Sequence, residues 1–291
     1  MSNVEKPVRV KFALPKGRMQ EGIISLLREA GINLKANSRN YRPGINLAGF
    51  ETKILKPQNV VEMLHIGSRD LGFAGADWVA ELQAEVVELL DTGLDPVQVV
   101  AAAPRELLTG GNLPAGRLVI ASEYERLTRK WIEDEGLKAS FVKSYGATEV
   151  FPPEDADCIV DNTATGSTLK ANQLEVVAEI MKSSTRLYAN PQALANPAKK
   201  AAIETMVLLL KSVLDARQRV MLEVNVSSNK LETLVSLLPC MRRPTISRLY
   251  GDTGYAVKAA VPKADLPDLI PRIKDCGATD LVVTAPDQLI P

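Results

Sequence analysis

The chain has 291 residues, long enough for two or three domains, and its 46% apolar and 24% charged residues are the balance of an ordinary globular protein. Lys and Arg total 35 and Asp and Glu total 35, so bulk charge argues against a nucleic-acid binder or a protein drawn to an anionic membrane. No run approaches a membrane span, residues 1–7 lack the apolar core of a signal peptide, and the three cysteines (Cys158, Cys240, Cys276) have no metal spacing, so buried free thiols in the cytoplasm are expected.

Residues 8–14 alternate as a strand, and Pro15-Lys16-Gly17-Arg18 turns the chain into a helix. That helix carries Met19, Ile23, Leu26, Leu27 and Ala30 on one face and stops at Gly31. Two cations in a strand-to-helix turn suit a polyphosphate, although the spacing fits a solvated basic turn equally well. Residues 46–55 form a second strand region, and Pro57 opens a helix with Val60, Val61 and Leu64 inward. His65, the sole histidine, lies on that helix with no partner visible in the sequence and reads as structural or solvent-facing. One histidine leaves no expectation of a Ser-His-Asp triad or a zinc site. Asp70-Leu-Gly-Phe-Ala-Gly75-Ala-Asp77 then reads as a short strand, a glycine turn and a helix start with Asp77 as N-cap.

Residues 97–103 form a strand that crosses to a second lobe, and 105–116 are a loop rich in Gly, Asn and Pro. A strand at 117–121 leads to Ser122, the expected cap of a helix running through Trp131 to Gly136. Residues 141–143 are another strand, and Gly146-Ala-Thr-Glu149-Val the next turn into a helix. Cys158-Ile-Val160 is a buried strand ending at Asp161. After it, Asn162-Thr163-Ala164-Thr165-Gly166-Ser167-Thr168 forms a hydroxyl-rich turn. A helix is expected from Leu169, with Leu174, Val177, Ile180 and Met181 on its apolar face.

A turn of this kind gathers free backbone N–H groups at one point, which makes a phosphate seat; by composition alone it also fits an ordinary αβ connection. Residues 185–190 return as a strand and 198–217 form a long helix. The α/β alternation predicts a mostly parallel sheet with ligands at the C-terminal strand ends. Four strand-to-helix turns, at 16–18, 70–77, 122–124 and at Glu149 with 161–168, then suggest one cleft between two lobes.

Beyond Arg219 the rhythm changes to strand, helix, strand, a Gly251-Asp-Thr-Gly254 hairpin, strand, helix and strand. This βαββαβ order is the ferredoxin-like split unit, and Pro271 inside its second helix is expected to kink it. The module contains no catalytic constellation and reads as regulatory or oligomer-forming.

The spacing from Asp161 through Thr165-Gly166-Ser167-Thr168 resembles the loop with which phosphoribosyltransferases hold the 5-phosphate of phosphoribosyl pyrophosphate (PRPP). Many of those enzymes carry two adjacent acids where this chain has Asp161-Asn162. Over nearly its whole length the chain resembles the long form of ATP phosphoribosyltransferase, the first enzyme of histidine biosynthesis. The likeness rests on Leu14-Pro-Lys-Gly-Arg18, the 70–77 segment, Ser122-Glu-Tyr124, Gly146-Ala-Thr-Glu149, residues 161–169 and Leu237-Leu-Pro-Cys-Met-Arg-Arg-Pro-Thr-Ile246. Ala76, Ala164 and Ser167 depart from the usual pattern.

The resemblance implies an α/β fold: a two-lobed, periplasmic-binding-protein-like (type II) catalytic body and a C-terminal ferredoxin-like domain. The expected division is lobe I at 1–98 with 187–217, lobe II at 99–186 carrying the PRPP loop, and a histidine-binding domain at 218–291. The implied reaction transfers the phosphoribosyl group of PRPP to N1 of ATP, releasing pyrophosphate with magnesium as cofactor, under feedback inhibition by histidine. Asp161 and Glu149 are the expected catalytic residues, and Asp161, Asn162, Thr163, Ala164, Thr165, Gly166, Ser167 and Thr168 the PRPP site. Lys16, Arg18, Asp70, Gly75, Asp77 and Tyr124 are assigned to ATP or pyrophosphate, and Glu223, Thr245 and Ser247 to the histidine effector. A homo-oligomer, from dimer to hexamer, without a separate regulatory subunit, nucleic acid or membrane is expected. The competing reading is a two-lobed amino-acid or nucleotide sensor without catalysis.

Overall fold

The computed structural model describes residues 8–35 and 41–291; residues 1–7, read above for the absence of a signal peptide, lie outside the described residues. The described residues divide into two compact units, one running through Ser25 and from Ile32 to Glu204, the other comprising Leu26–Gly31 and Thr205–Pro291.

In the first unit, β1 (Val10–Pro15) and α1 (Arg18–Glu29) are followed by the short β2 (Leu34–Lys35) and β3 (Gly44–Ile45). Then come β4 (Phe50–Leu55), α2 (Pro57–His65), β5 (Leu71–Gly75), α3 (Ala76–Leu82) and the 18-residue β6 (Val87–Pro104). The next elements are β7 (Leu118–Ser122), α4 (Glu125–Asp134), β8 (Ala139–Lys143), β9 (Cys158–Thr163), α5 (Ser167–Ala171), β10 (Leu174–Ala189) and α6 (Pro191–Ala195). α7 (Pro197–Arg217) passes from the first unit into the second.

Eight strands form one sheet in the order β4-β1-β5-β10-β6-β9-β7-β8. From either end the order is the same: second, first and third strand of a lobe, then a long strand arriving from the other lobe. This is the two-lobed type II arrangement that the family resemblance implied. The expectation of a mostly parallel sheet is corrected. β1 lies parallel to β4 and β5, and β7 parallel to β8 and β9, but β10 is antiparallel to β5 and β6, and β6 to β9. Because β6 and β10 run through both lobes in opposite directions, the middle of the sheet must be antiparallel. Phe12 and Phe73 are fully buried in lobe I, with ring centroids 5.8 Å apart. Val99, Ala101, Ile120, Tyr124 and Val160 belong to the core of lobe II.

The helix expected from Leu169 through Met181 is also corrected: α5 ends at Ala171 and β10 begins at Leu174. β10 shifts register against β6 between Val176 and Ala178 and again between Glu179 and Met181. Each bulge inserts a residue, so apolar positions recur at three instead of two and imitate a helical period. The helix expected after Gly146 is only a single 3-10 turn, Thr148–Val150.

In the second unit, β11 (Arg219–Val226), α8 (Leu231–Leu237), β12 (Thr245–Arg248), β13 (Tyr255–Pro262), α9 (Leu266–Asp275) and β14 (Thr279–Thr284) form a sheet ordered β12-β13-β11-β14, antiparallel throughout. That is the ferredoxin-like order. Val220, Leu222, Val224 and Val226 alternate inward against Leu234, Leu269 and Ile273 of its two helices. Pro271 sits inside α9 without ending it.

Candidate active site

The C-terminal ends of the parallel strands converge on a cleft between the lobes of the first unit. On one side a cavity of about 420 Å³ is lined by Arg18, Glu123, residues 146–149, residues 161–165 and Ser167, Thr168 and Leu169. Beside it a cavity of about 230 Å³ is lined by Lys16, Arg18, Met19, Pro57, Gly75, Asp77, Trp78, Asp95, Val97, Asn162 and residues 183–185. Arg18 and Asn162 line both. A larger hollow, about 560 Å³ around Arg105, Pro152, Lys170 and Glu175, holds none of the residues expected at the site.

The 163–168 turn is held by its own hydroxyls. Thr163 Oγ1 accepts from the Gly166 N–H at 2.9 Å, and the Thr165 and Ser167 hydroxyls lie 3.0 Å apart. Gly166 has φ +73°, the left-handed region a glycine enters at no steric cost, and this bend starts α5. The bend places the hydroxyls of Thr165, Ser167 and Thr168 around one cavity.

Asp161 lies in β9, two residues before its end, with its Oδ1 accepting from the Asn162 N–H at 2.7 Å. Burial pushes its carboxyl up to about 6, the Asn162 N–H opposes this, and the charges of Glu149 and Glu123 push it further up. Three carboxylates thus line one cavity together with Arg18. Among the described residues no three His, Cys, Asp or Glu side chains converge as a metal cluster.

The ATP-side residues separate. Lys16 and Arg18 are exposed on the turn after β1, where Gly17 adopts φ +88°. Gly75 stands against the Asp77 carboxylate, which a methyl group at position 75 would overlap. Asp77 is not the N-cap of α3; Gly75 holds that place, and Asp77 is buried inside the first turn. Its carboxylate accepts from the Tyr124 hydroxyl at 2.6 Å and the Ser183 hydroxyl at 2.7 Å. Tyr124 is fully buried and does not line either cavity.

Asp70 is not brought to the cleft. It precedes β5, at the end opposite Gly75, where it accepts from the Lys11 N–H and pairs with Lys199 at 2.7 Å. Ser122 does not cap α4 either: its hydroxyl donates to the Val160 carbonyl and accepts from the Tyr124 N–H. The cap comes from Glu81 of α3, whose carboxylate accepts from the Arg126 and Leu127 N–H groups at 3.0–3.1 Å. His65 Nδ1 accepts from the Glu85 N–H at 3.0 Å.

In the second unit, Thr245, Lys258 and Glu223 are directly paired across three neighbouring strands, with Lys258 Nζ donating to Glu223 Oε1 at 2.6 Å. Ser247 stands two residues along the same face. The expected effector residues therefore share one exposed row.

The sequence reading missed Glu123, Trp78, Asp95 and residues 183–185 at the cleft. The run Ser183-Ser184-Thr185 was the one available signal, three hydroxyls in a row beside an apolar strand.

The family model described as "ATP phosphoribosyltransferase" (HisG) matches residues 56–212, and that described as "HisG, C-terminal domain" matches residues 216–286. An ATP phosphoribosyltransferase of Pelotomaculum thermopropionicum is 36% identical over 98% of this chain and 100% of its own length. One from Chlorobium luteolum is 36% identical over 96% of each chain. Among solved structures, a chain of the ATP phosphoribosyl transferase (HisG:HisZ) complex of Thermotoga maritima matches with TM-score 0.63 and 26% identity, covering 71% of this chain and 98% of that one.

Proposed function

The chain belongs to the ATP phosphoribosyltransferase family and catalyses the first step of histidine biosynthesis, and from that premise we propose how its cleft performs the transfer. The reaction joins N1 of the adenine of ATP to C1 of the PRPP ribose. The adenine lone pair forms the new bond while the C1–oxygen bond breaks, and pyrophosphate departs with that electron pair. Such a displacement at a sugar carbon passes through a cationic ribose, so the protein's tasks are alignment and charge stabilisation. No general base is required, because N1 attacks with a free lone pair.

Residues 163–168 hold the 5-phosphate through hydroxyl and backbone donors. Asp161 and Glu149 face the ribose hydroxyls, and their negative charge stabilises the developing cation. Lys16 and Arg18, from the opposite lobe, receive the phosphates of pyrophosphate and ATP. The observation that carries this reading is the single cavity in which the 163–168 turn, Asp161, Glu149 and Arg18 meet.

Asp70 has no part in the site, and Gly75 serves it by leaving room for Asp77. The carboxylates of Asp161, Glu149 and Glu123 would suit a hard divalent cation arriving with substrate phosphates, and magnesium held there would supply positive charge against the leaving pyrophosphate.

The ferredoxin-like unit is the histidine sensor, with Glu223, Thr245 and Ser247 as its contacts, and the enzyme works in the cytoplasm as a homo-oligomer. Having its own C-terminal domain, it needs no separate regulatory subunit. A two-lobed sensor without catalysis is not favoured, since the relatives matched over 96% or more of their length are named as enzymes.

The test follows the adenine-ring absorbance when ATP, PRPP and magnesium are mixed, with wild type and Ser167→Glu compared. A carboxylate at the start of α5 is compatible with the helix and repels a phosphate. Loss of PRPP binding and turnover in a folded Ser167→Glu protein is expected; unchanged PRPP affinity refutes the loop assignment.

A further inference from the structure

Tyr124 is fully buried, so it meets no substrate, and yet its hydroxyl is held at both ends. It donates to Asp77 Oδ2 at 2.6 Å, and the Asn162 side-chain amide donates to it at 2.9 Å. We infer that Tyr124 is a positioning residue for PRPP: its hydroxyl, anchored on lobe I through Asp77, fixes which face the Asn162 amide turns to the cleft. The inference rests on the assignment of residues 161–168 to PRPP.

Donor and acceptor roles set the direction of the chain. Asp77 already accepts from the Ser183 hydroxyl through its other oxygen, and the Ser183 oxygen accepts from the Asp77 N–H at 3.0 Å. The Tyr124 O–H points to Asp77 Oδ2, so its proton lies on that side. The Tyr124 oxygen can then only accept, and Asn162 must offer it the NH2 group. A flipped amide would set its oxygen against the Tyr124 oxygen and near Asp161 Oδ1, two acceptors facing a third. The amide oxygen is therefore the atom left for the cleft, where Asn162 borders both cavities. Beside the Asp161 carboxylate it makes a second acceptor at the strand end, suited to a second ribose hydroxyl.

The same polarity explains why this chain has Asp161-Asn162 where a pair of acids is common in phosphoribosyltransferases. A carboxylate at 162 would offer no proton to the Tyr124 oxygen. A phenylalanine would fill the core at 124 and stack on Trp78, whose ring centroid is 4.8 Å from that of Tyr124. The hydroxyl contributes only through its bonds, which join three elements (α3, the turn before α4 and β9), with β10 added through Ser183 and Asp77. Burial and the neighbouring Asp77 hold that hydroxyl far above its ordinary titration range, so it stays neutral and transfers no proton.

The test uses the full-length enzyme. PRPP dissociation constants from calorimetry, and KM for PRPP and for ATP, are compared for wild type, Tyr124→Phe, Asn162→Ala and the double variant. Each single change is expected to weaken PRPP by about tenfold, the scale of one misdirected substrate hydrogen bond, with the KM for ATP little changed. The double variant should be no weaker than the worse single, because both act on one chain. Unchanged PRPP affinity in Tyr124→Phe, even with a lower melting temperature, overturns the inference, as do effects that multiply. If Tyr124→Phe does not fold, Ser183→Ala releases Asp77 from the far end and carries the same test: weakened PRPP supports the role and unchanged PRPP overturns it. Ser167→Glu separates the two readings. Retained PRPP binding there defeats the loop assignment itself, whereas its loss beside an unaffected Tyr124→Phe defeats only the positioning role.

Discussion

At Asp161, burial and two neighbouring carboxylates lift the carboxyl from 3.8 to about 6, and this has two consequences of opposite sign. Between these values the folded protein binds more protons than the unfolded chain, so this group's contribution to stability falls as pH rises through that window. Activity should run the other way, because the role proposed for Asp161 at the ribose and the cationic sugar needs the carboxylate. The kcat/KM for PRPP should therefore decline as pH drops below about 6. Glu149→Gln removes one of the like charges, so the acid limb of its pH–rate profile should move to lower pH even though turnover is reduced. A limb that stays in place excludes Asp161 as the titrating group. At Gly75 the expected result is steric. Gly75→Ala forces the Asp77 carboxylate aside and should raise the KM for PRPP, measured alongside an unchanged circular dichroism spectrum.

Between elements, α3 and α4 are joined by more than apolar packing. The nearly buried Glu81 accepts N–H groups from the first turn of α4, and the Arg126 guanidinium returns to the Leu82 carbonyl at 3.2 Å. A carboxylate at a helix N-terminus satisfies orphan donors and meets the positive end of the dipole. Glu81→Ala should cost about 1–2 kcal/mol of stability, read as a lower urea midpoint, and Glu81→Gln less, since it keeps one acceptor oxygen. β6 and β10 show a different element-scale effect. Strands this long cross both lobes only by shifting register, and the shifts in β10 cluster between Ser183 and Tyr188. There they turn Ser183 onto Asp77 and the Thr185 hydroxyl onto Asp95 at 3.0 Å.

For the molecule as a whole, the C-terminal unit has its own core and topology, and its exposed row of Thr245, Lys258, Glu223 and Ser247 is where histidine should bind. Glu223→Gln weakens the pairing with Lys258 and should move the histidine inhibition curve to higher concentration, by about tenfold if one charged contact is lost. An unmoved curve excludes that face. The sequence by itself determined what a few adjacent residues can build. The 163–168 turn, the basic turn at Lys16 and Arg18, and the βαββαβ order of the tail were legible because their spacing lies within one or two elements. It misassigned Asp70, made Asp77 and Ser122 caps, put Tyr124 on the nucleotide and continued a helix through β10. In each of these the deciding partner is remote in sequence: Ser183 is 106 residues from Asp77, Tyr124 is 47 from Asp77 and Asn162 is 38 from Tyr124. A buried carboxylate or hydroxyl must be satisfied by whatever the fold brings to it, and only the closing of two lobes around β6 and β10 decides which groups those are.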